Sequence, residues 1–443
     1  MRVLVMGAAG RDFHDFNVAF RGREDIEMVA FTSAPGQNLG EVEGGHDRYP
    51  PALAGEGYPD GIPIEPEADL ERLVRERNVD RVYFSYSDVS HEHVMHAASR
   101  AMSAGASFGI LGPEDICLDA DVPVVAVDAV RTGCGKSQVA GAFADALSGR
   151  GLDVSIVREP MPYGDLAESR VQRFGSHEDL DAADVTIEER EEYEQHIDAG
   201  HVVFAGVDYA DVISAAAEEA DVLVWDGGNN ELPFVRPDLH VVLVDPLRPG
   251  DETRYHPGET NLRRADAVVS NKENSADPDD IEQVAVNVRD LAPGADLFHA
   301  DSVVTVDDPS LVEGASVLVV EDGPTLTHGD ASHGAGAVAA DRYGAAERLD
   351  PRSGAVGSIA DVLERYPHLD RVLPAMGYSD QQVADLEATI RNVDPQVVVS
   401  GTPHDLSRRV DVDAPIVDVT YEVDLHDTTF DGLLDRYAGL LGS

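Results

Sequence analysis

Residues 123–137, PVVAVDAVRTGCGKS, constrain the fold more than any other stretch of the chain. PVVAVDAV is mostly apolar, as expected of a strand buried on both faces, and RTGCGKS follows it without a break. A buried strand that runs into a glycine turn and then a helix needs a parallel sheet with helices laid over it. Gly133, Gly135, Lys136 and Ser137 match the second half of a phosphate-binding loop. In such a loop the glycines let successive backbone N–H groups wrap a phosphate. The lysine reaches the β and γ oxygens, the serine hydroxyl ligates Mg2+, and the helix start adds its positive end. Val130 stands where the full pattern has its first glycine, and Arg131 stands where one P-loop subclass carries a signature lysine. The stretch predicts a nucleotide site built from Arg131, Thr132, Gly133, Cys134, Gly135, Lys136 and Ser137.

Short apolar strands alternate with helical stretches along the rest of the chain, which predicts an α/β protein in three parts. Residues 1–118 read as a Rossmann-like domain, with strands RVLVMG (2–7), EMVAFT (27–32), RVYFSY (81–86) and SFGILG (107–112). Gly7 and Gly10 follow the first strand, but the full dinucleotide fingerprint is absent, so a tight strand-to-helix turn accounts for them equally. Arg11, His14 and Asn17 cluster at that turn. His91, His93 and His96 fall on one helix starting near Ser90 and lack a completing ligand set. Residues 119–310 read as a P-loop nucleotide-binding domain with a mainly parallel sheet. Residues 311–443 read as a C-terminal α/β domain, in which SVLVVEDGPTLTHGDASHGAGAVAA (316–340) gives strand, Gly-rich loop and helix. In that loop Thr325, Thr327 and His328 serve either a ligand or the loop itself.

Charge narrows the partners. Asp and Glu total 84 against 33 Lys and Arg, a net charge of −51, while 43% of residues are apolar. That much apolar sequence speaks for a folded chain with an acidic, solvated surface, of the halophilic type. Salt near 1 M shortens the Debye length to about 3 Å and screens the self-repulsion. Such a surface excludes nucleic acid as a partner. No apolar run reaches membrane-spanning length, MRVLVMGAAG does not read as a signal peptide, and two cysteines, Cys117 and Cys134, fit a reducing cytoplasm. A disulfide between them stays open, and a homodimer is compatible with the pattern.

Only two lysines occur, Lys136 and Lys272. A lysine that survives among arginines is expected to need a compact point charge where a planar fork does not serve. ADVLVWDGGNNELPF (220–234) places Asp226 at a strand end, as expected of a carboxylate that holds Mg2+ together with Ser137. DAVVSNKEN (266–274) ends another strand in Asn271 and Lys272, a pair similar to a base-binding loop. Asn274 takes the place of the carboxylate that would read guanine, which favours ATP. SIVREPMPYGDL (155–166) contributes Arg158 and Tyr163, and VDPLRPGDETRYHPGETNLRRAD (244–266) contributes Arg248, Arg254 and His256. Lys136, Asp226 and Arg248 are the expected catalytic residues. Arg11, His14, Asn17, Arg158, Arg254 and His256 are the expected site for an anionic substrate.

GAAGRDFHDFN, RTGCGKS, MPYGDL, WDGGNNELPF, DPLRPGDE, PGETNLRRAD, EDGPTLTHG and PAMGYS together resemble the cyclic 2,3-diphosphoglycerate synthetase family over nearly the whole chain. The resemblance implies an ATP- and Mg2+-dependent ligase. It would join the two phosphates of a small phosphorylated acid into a cyclic anhydride, with release of ADP and phosphate. A regulatory or metallochaperone-like P-loop GTPase is the alternative from another class.

Overall fold

The computed structural model describes all residues except 9, 35–46, 160–164, 184, 186, 229–230, 323–325, 327–333, 376–379, 403–405, 409 and 442–443. The chain divides into two compact units. One contains Met1–Ala182, Ala199–Ala300 and Leu425–Ser443, the other Ala183–Asp198 and Asp301–Asp424. Both are α/β with mainly parallel strand pairing.

The first unit carries two sheets. The N-terminal sheet has six strands in the order Arg48–Tyr49, Ile62–Pro66, Glu27–Ser33, Arg2–Met6, Arg81–Phe84, Ser107–Gly109. All pair in parallel except the short edge strand Arg48–Tyr49. The second sheet is built around Val124–Ala129, flanked by Val222–Asp226 and Leu239–Val244. Val154–Arg158 and Val202–Ala205 continue it on one side, and Ala267–Ser270 with the start of Asp296–Val306 on the other. Gln172–Phe174 adds an antiparallel edge. Val124–Ala129 and Leu239–Val244 are buried at every position, which explains their almost unbroken apolar sequence.

Helix Lys136–Gly149 covers the central strands and buries Val139, Ala140, Phe143, Ala144 and Leu147, one face at helical period. Against it packs helix Phe430–Tyr437, with Phe430 edge-on to Phe143 at 5.2 Å and Arg150 paired to Asp431 at 2.9 Å. The two sheets of this unit are joined by polar contacts. Tyr255–His256 pairs antiparallel with Val89–Ser90, and Arg21 bonds Asp208 at 2.8 Å.

In the second unit, Ser316–Asp322 lies between Val397–Gly401 and Val372–Ala375, all parallel, and Ile416–Leu425 flanks Val397–Gly401. Its core is aliphatic, centred on Val317, Leu318, Val319, Val320, Val398 and Val399. Among the described residues, no helix of the chain is long and apolar enough to cross a membrane.

Candidate functional site

The turn after Val124–Ala129 has the backbone that a phosphate loop requires. Gly133 and Gly135 sit at φ +81° and +98°, in the left-handed region where only glycine is unstrained. A Cβ on Gly135 would also collide with the side-chain nitrogen of Asn271. Val130 explains its own departure from the pattern. It is buried, its N–H continues the sheet to the Leu243 carbonyl at 3.0 Å, and the bare Gly258 backbone lies against its carbonyl. The position is the last rung of the strand rather than the first residue of the turn.

Lys136, at the helix start, donates to the Gly228 carbonyl at 2.7 Å and lies 3.9 Å from Asp226. Burial lowers its pKa from the usual 10.5, against the opposing pull of Asp226. Asp226 is fully buried at the end of Val222–Asp226 and pairs with the Arg158 guanidinium. The same Arg158 nitrogen reaches the Ser137 hydroxyl at 3.3 Å. Ser137, Asp226 and Lys136 therefore meet at one point, with Arg158 bridging the first two.

A second group fastens the turn from the other side. Asn271 donates to the Cys134 carbonyl at 2.9 Å. Lys272, at φ +65°, turns its ammonium onto the Gly133 carbonyl and stands 3.3 Å from Asp245. Arg248 donates to the Thr132 carbonyl at 2.8 Å and to Asp245 at 3.1 Å. Burial acts to raise the Asp245 carboxyl, but Lys272 and Arg248 outweigh it and hold the group below the usual carboxylate range. Arg131 turns outward from the loop, bonding Asp88 at 2.7 Å and Asp251 at 2.6 Å, with Tyr255 stacked beneath it at 3.6 Å. Asp88 also accepts from the Thr132 N–H at 3.3 Å. Both lysines thus touch the same seven-residue turn, Lys136 at its helix end and Lys272 under its glycines.

The N-terminal residues expected to bind an anion have diverse environments. His14 is buried, stacks on Phe234 at 3.9 Å and bonds the Ile116 carbonyl through Nε2 at 2.8 Å; burial depresses its pKa to about 3. Asn17 donates to the Val207 carbonyl at 3.1 Å and accepts from Tyr49 at 2.9 Å. Both join the two sheets and are neutral. His256 is likewise held neutral, near 3, by burial and then by Arg11 and His91. Arg254 is exposed, its backbone carbonyl taken by the His91 N–H at 2.8 Å. Arg11 is a buried cation, and its charge acts on His14, Glu159 and His256. Tyr163, Thr325, Thr327 and His328 lie outside the described residues.

Both cysteines are free thiols. Cys134 is buried under the loop, and Cys117 bonds the Pro233 carbonyl at 3.1 Å. Among the described residues no three His, Cys, Asp or Glu side chains group as metal ligands; His91 and His96 pair loosely with Glu259 and Glu92.

Three carboxyls that the sequence reading passes over, Asp12, Glu159 and Glu231, stand at the mouth of the two glycine turns. A Cβ on Gly10 would strike Glu159, and one on Gly7 would lie 2.5 Å from Asp12. A Cβ on Gly228 would lie 2.8 Å from Glu159 and 3.4 Å from Glu231. Burial, then Glu231 and Asp12, push the Glu159 carboxyl well above its usual value. The available signal was positional: Glu159 follows a strand end, and Glu231 follows the Asp226 turn.

No family model matches the chain. It is 54% identical over 423 residues to a Thermococcus kodakarensis protein named arginine synthetase ArcE, covering 96% of this chain and 93% of that protein. Among solved structures, LpxK from Aquifex aeolicus in complex with ATP matches with a TM-score of 0.41 at 15% identity, covering 74% of this chain and 90% of that one. The UDP-N-acetylmuramate:L-alanyl-gamma-D-glutamyl-meso-diaminopimelate ligase of Neisseria meningitides matches with a TM-score of 0.28 at 13% identity, covering 68% and 80%. The sequence comparison overturns both the resemblance to cyclic 2,3-diphosphoglycerate synthetases and the anhydride-forming reaction drawn from it. The motifs behind that resemblance are glycine turns and a phosphate loop. Such motifs do not discriminate between acceptors.

Proposed function

This chain belongs to the arginine synthetase ArcE family, and from that premise we propose that it forms arginine by ATP-driven amination of an α-amino acid bearing a ureido group. The identity over almost the full length of both chains carries the reading. The chemistry explains why a phosphate loop belongs in such an enzyme. A ureido carbon has the oxidation state of a guanidinium carbon, so no redox cofactor is needed. Its oxygen, however, is a poor leaving group. Transfer of the γ-phosphoryl group to that oxygen breaks the bond to ADP and makes an O-phosphoisourea. Ammonia then attacks the carbon, phosphate leaves with the oxygen, and the guanidinium forms after proton loss. Overall, ATP, ammonia and the ureido acid give ADP, phosphate and arginine.

In this reading Lys136 and the backbone of Gly133 to Ser137 hold the β and γ phosphates, by positioning and charge neutralisation. Arg248, Asn271 and Lys272 keep the turn rigid from below, since each bonds one of its carbonyls. The Ser137 hydroxyl and the Asp226 carboxylate are hard oxygen donors that suit Mg2+, and both already share one cation, Arg158. They would hold the metal in exchange for that guanidinium, and bound Mg2+ would neutralise the phosphate charge.

The test is direct. Purified protein in molar KCl with ATP, citrulline and ammonium should release ADP and arginine in equal amounts. ADP release without arginine, whatever the ureido acid supplied, would sink the reading. ATP should serve better than GTP, since Asn274 offers no carboxylate to a guanine.

A further inference from the structure

Arg11 is 3% exposed, yet among the described residues none of its three guanidinium nitrogens has a hydrogen-bond partner. Its one ion pair among the described residues is a loose contact of 3.8 Å to Asp15. Asp15 is itself engaged by the Ser85 hydroxyl at 2.6 Å. A buried guanidinium carries five N–H donors in a planar fork, and leaving them unmet in a dry site is costly. The neighbouring imidazoles of His14 and His256 are held neutral, so they add no second positive charge beside Arg11. Asp15 supplies charge at a distance but meets none of the N–H donors, so the fork can receive a second anion, and a carboxylate matches it in a bidentate manner.

The opposite deficit lies beside it. Glu231 is 3% exposed; one carboxylate oxygen accepts from Ser87 at 2.8 Å and the other has no hydrogen-bond donor among the described residues. Glu159 converges with it on the bare face of Gly228, and its carboxyl is displaced upward chiefly by burial, then by Glu231. Asn261, fully buried, spends its amide nitrogen on the Glu231 backbone carbonyl at 2.8 Å and leaves its oxygen unmet. Glu231 and Asn261 thus each hold a buried acceptor oxygen with no donor among the described residues. Among the described residues no ion pair joins Arg11 to either glutamate, although the Arg11 charge is felt at Glu159. The Gly228 carbonyl takes the Lys136 ammonium, so this place adjoins the phosphate loop.

We propose that Arg11 and the Glu159–Glu231 pair form a clamp for the zwitterionic head of the amino-acid substrate, with the α-carboxylate on Arg11 and the α-ammonium between the two glutamates. The inference rests on the arginine-forming reading and deepens it. An α-amino acid carries both missing charges on one carbon, which is why the structure keeps its own two charges apart. The side chain then extends from the clamp toward Lys136, where the γ-phosphoryl group is held.

The experiment measures binding of L-arginine, arginine methyl ester and Nα-acetylarginine by calorimetry in molar KCl, to wild type, Arg11→Met and Glu231→Gln. Wild type should prefer arginine to either derivative by about tenfold to a hundredfold, the worth of one charge-assisted contact. Arg11→Met should lose that margin against the ester, and Glu231→Gln should lose it against the acetyl derivative, with ATP affinity within about twofold of wild type. Because Glu231→Gln removes a buried charge that is crowded by Glu159, that variant should melt at or above the wild-type temperature without ligand. A merely structural role would lower it. Retention of the ester discrimination by Arg11→Met overturns the clamp. So does equal loss of arginine and Nα-acetylarginine in Glu231→Gln, which would put the substrate's other end on the glutamates. If wild type makes arginine while both variants keep its KM, the clamp alone falls. If wild type neither makes nor binds arginine, the clamp falls together with the reading beneath it.

Discussion

Two strand–turn–helix segments, one in each unit, begin alike and end in opposite chemistry. Val124–Ala129 leads to helix Lys136–Gly149, and Ser316–Asp322 leads to helix Ala335–Arg342. In the second, Glu321 lays its own carboxylate across the helix start and accepts the N–H groups of Gly334, Gly336 and Ala337 at 3.0, 3.2 and 2.8 Å. In the first, the residue before the helix is Gly135, no side chain caps the end, and a lysine stands at the first helical position. A helix start attracts an anion in either case. Where the chain supplies the anion, the place is closed and structural. Where it supplies glycines and a cation instead, the place is open to a phosphate.

The largest expected effect tests the open end. Lys136→Ala should lower turnover about a thousandfold, the scale of losing one preorganised charge at a transferring group, and leave the circular dichroism spectrum unchanged. Lys136→Arg should fail too, because a planar fork does not replace a point charge in a turn this tight. Full ATP-dependent activity in Lys136→Ala would erase the distinction between the two segments.

The next effect tests the closed end. Glu321→Ala strips the acceptor from three amide groups, two of them buried, and should destabilise the second unit by about 2–3 kcal/mol. ATP affinity should not move. A shifted ATP affinity with an unchanged unfolding midpoint would mean that Glu321 serves a ligand, and the contrast between the segments would be lost.

The sequence disclosed the open end more readily than the cleft around it, for physical reasons. Gly133, Gly135 and Lys136 are adjacent in the chain, and their residue types follow from local backbone geometry. Asn271 and Lys272 were recognisable as a pair, but their contacts with the Cys134 and Gly133 carbonyls depend on how two strands stack side by side. Asp12, Glu159 and Glu231 come from three separate segments and meet only when the sheets assemble. In a chain with 84 acidic residues, three more carboxylates give no compositional contrast. His14 and Asn17 show that a sequence position does not reveal a packing role. They occupy a strand-end position typical of ligand groups, and the fold uses both to join the sheets, His14 on Phe234 and Asn17 on the Val207 carbonyl. Motifs for phosphoryl transfer also say little of the acceptor, which is why the resemblance pointed to the wrong synthetase.

The smallest effect is one of pH, and it separates a ligand-binding lysine from a structural one by sign. Burial lowers the Lys136 pKa below 10.5, so over the window between the lowered value and 10.5 the unfolded chain binds more protons than the folded one. In that window stability without ligand therefore rises with pH, as the cost of the buried charge is relieved. ATP responds in the other direction. Its phosphates favour the charged ammonium, so affinity falls as pH climbs through the lowered pKa and levels off above the value of the bound state. Calorimetric titration of ATP at several pH values, beside melting temperatures without nucleotide, reads both slopes on one sample. Lys136→Met should abolish the fall in affinity and, by removing the buried charge, flatten this contribution to the rise in stability. Glu321→Gln should retain both slopes. If wild-type affinity stays level up to pH 10.5, Lys136 does not meet the phosphates as an ammonium, and the open helix end must draw its anion by backbone alone.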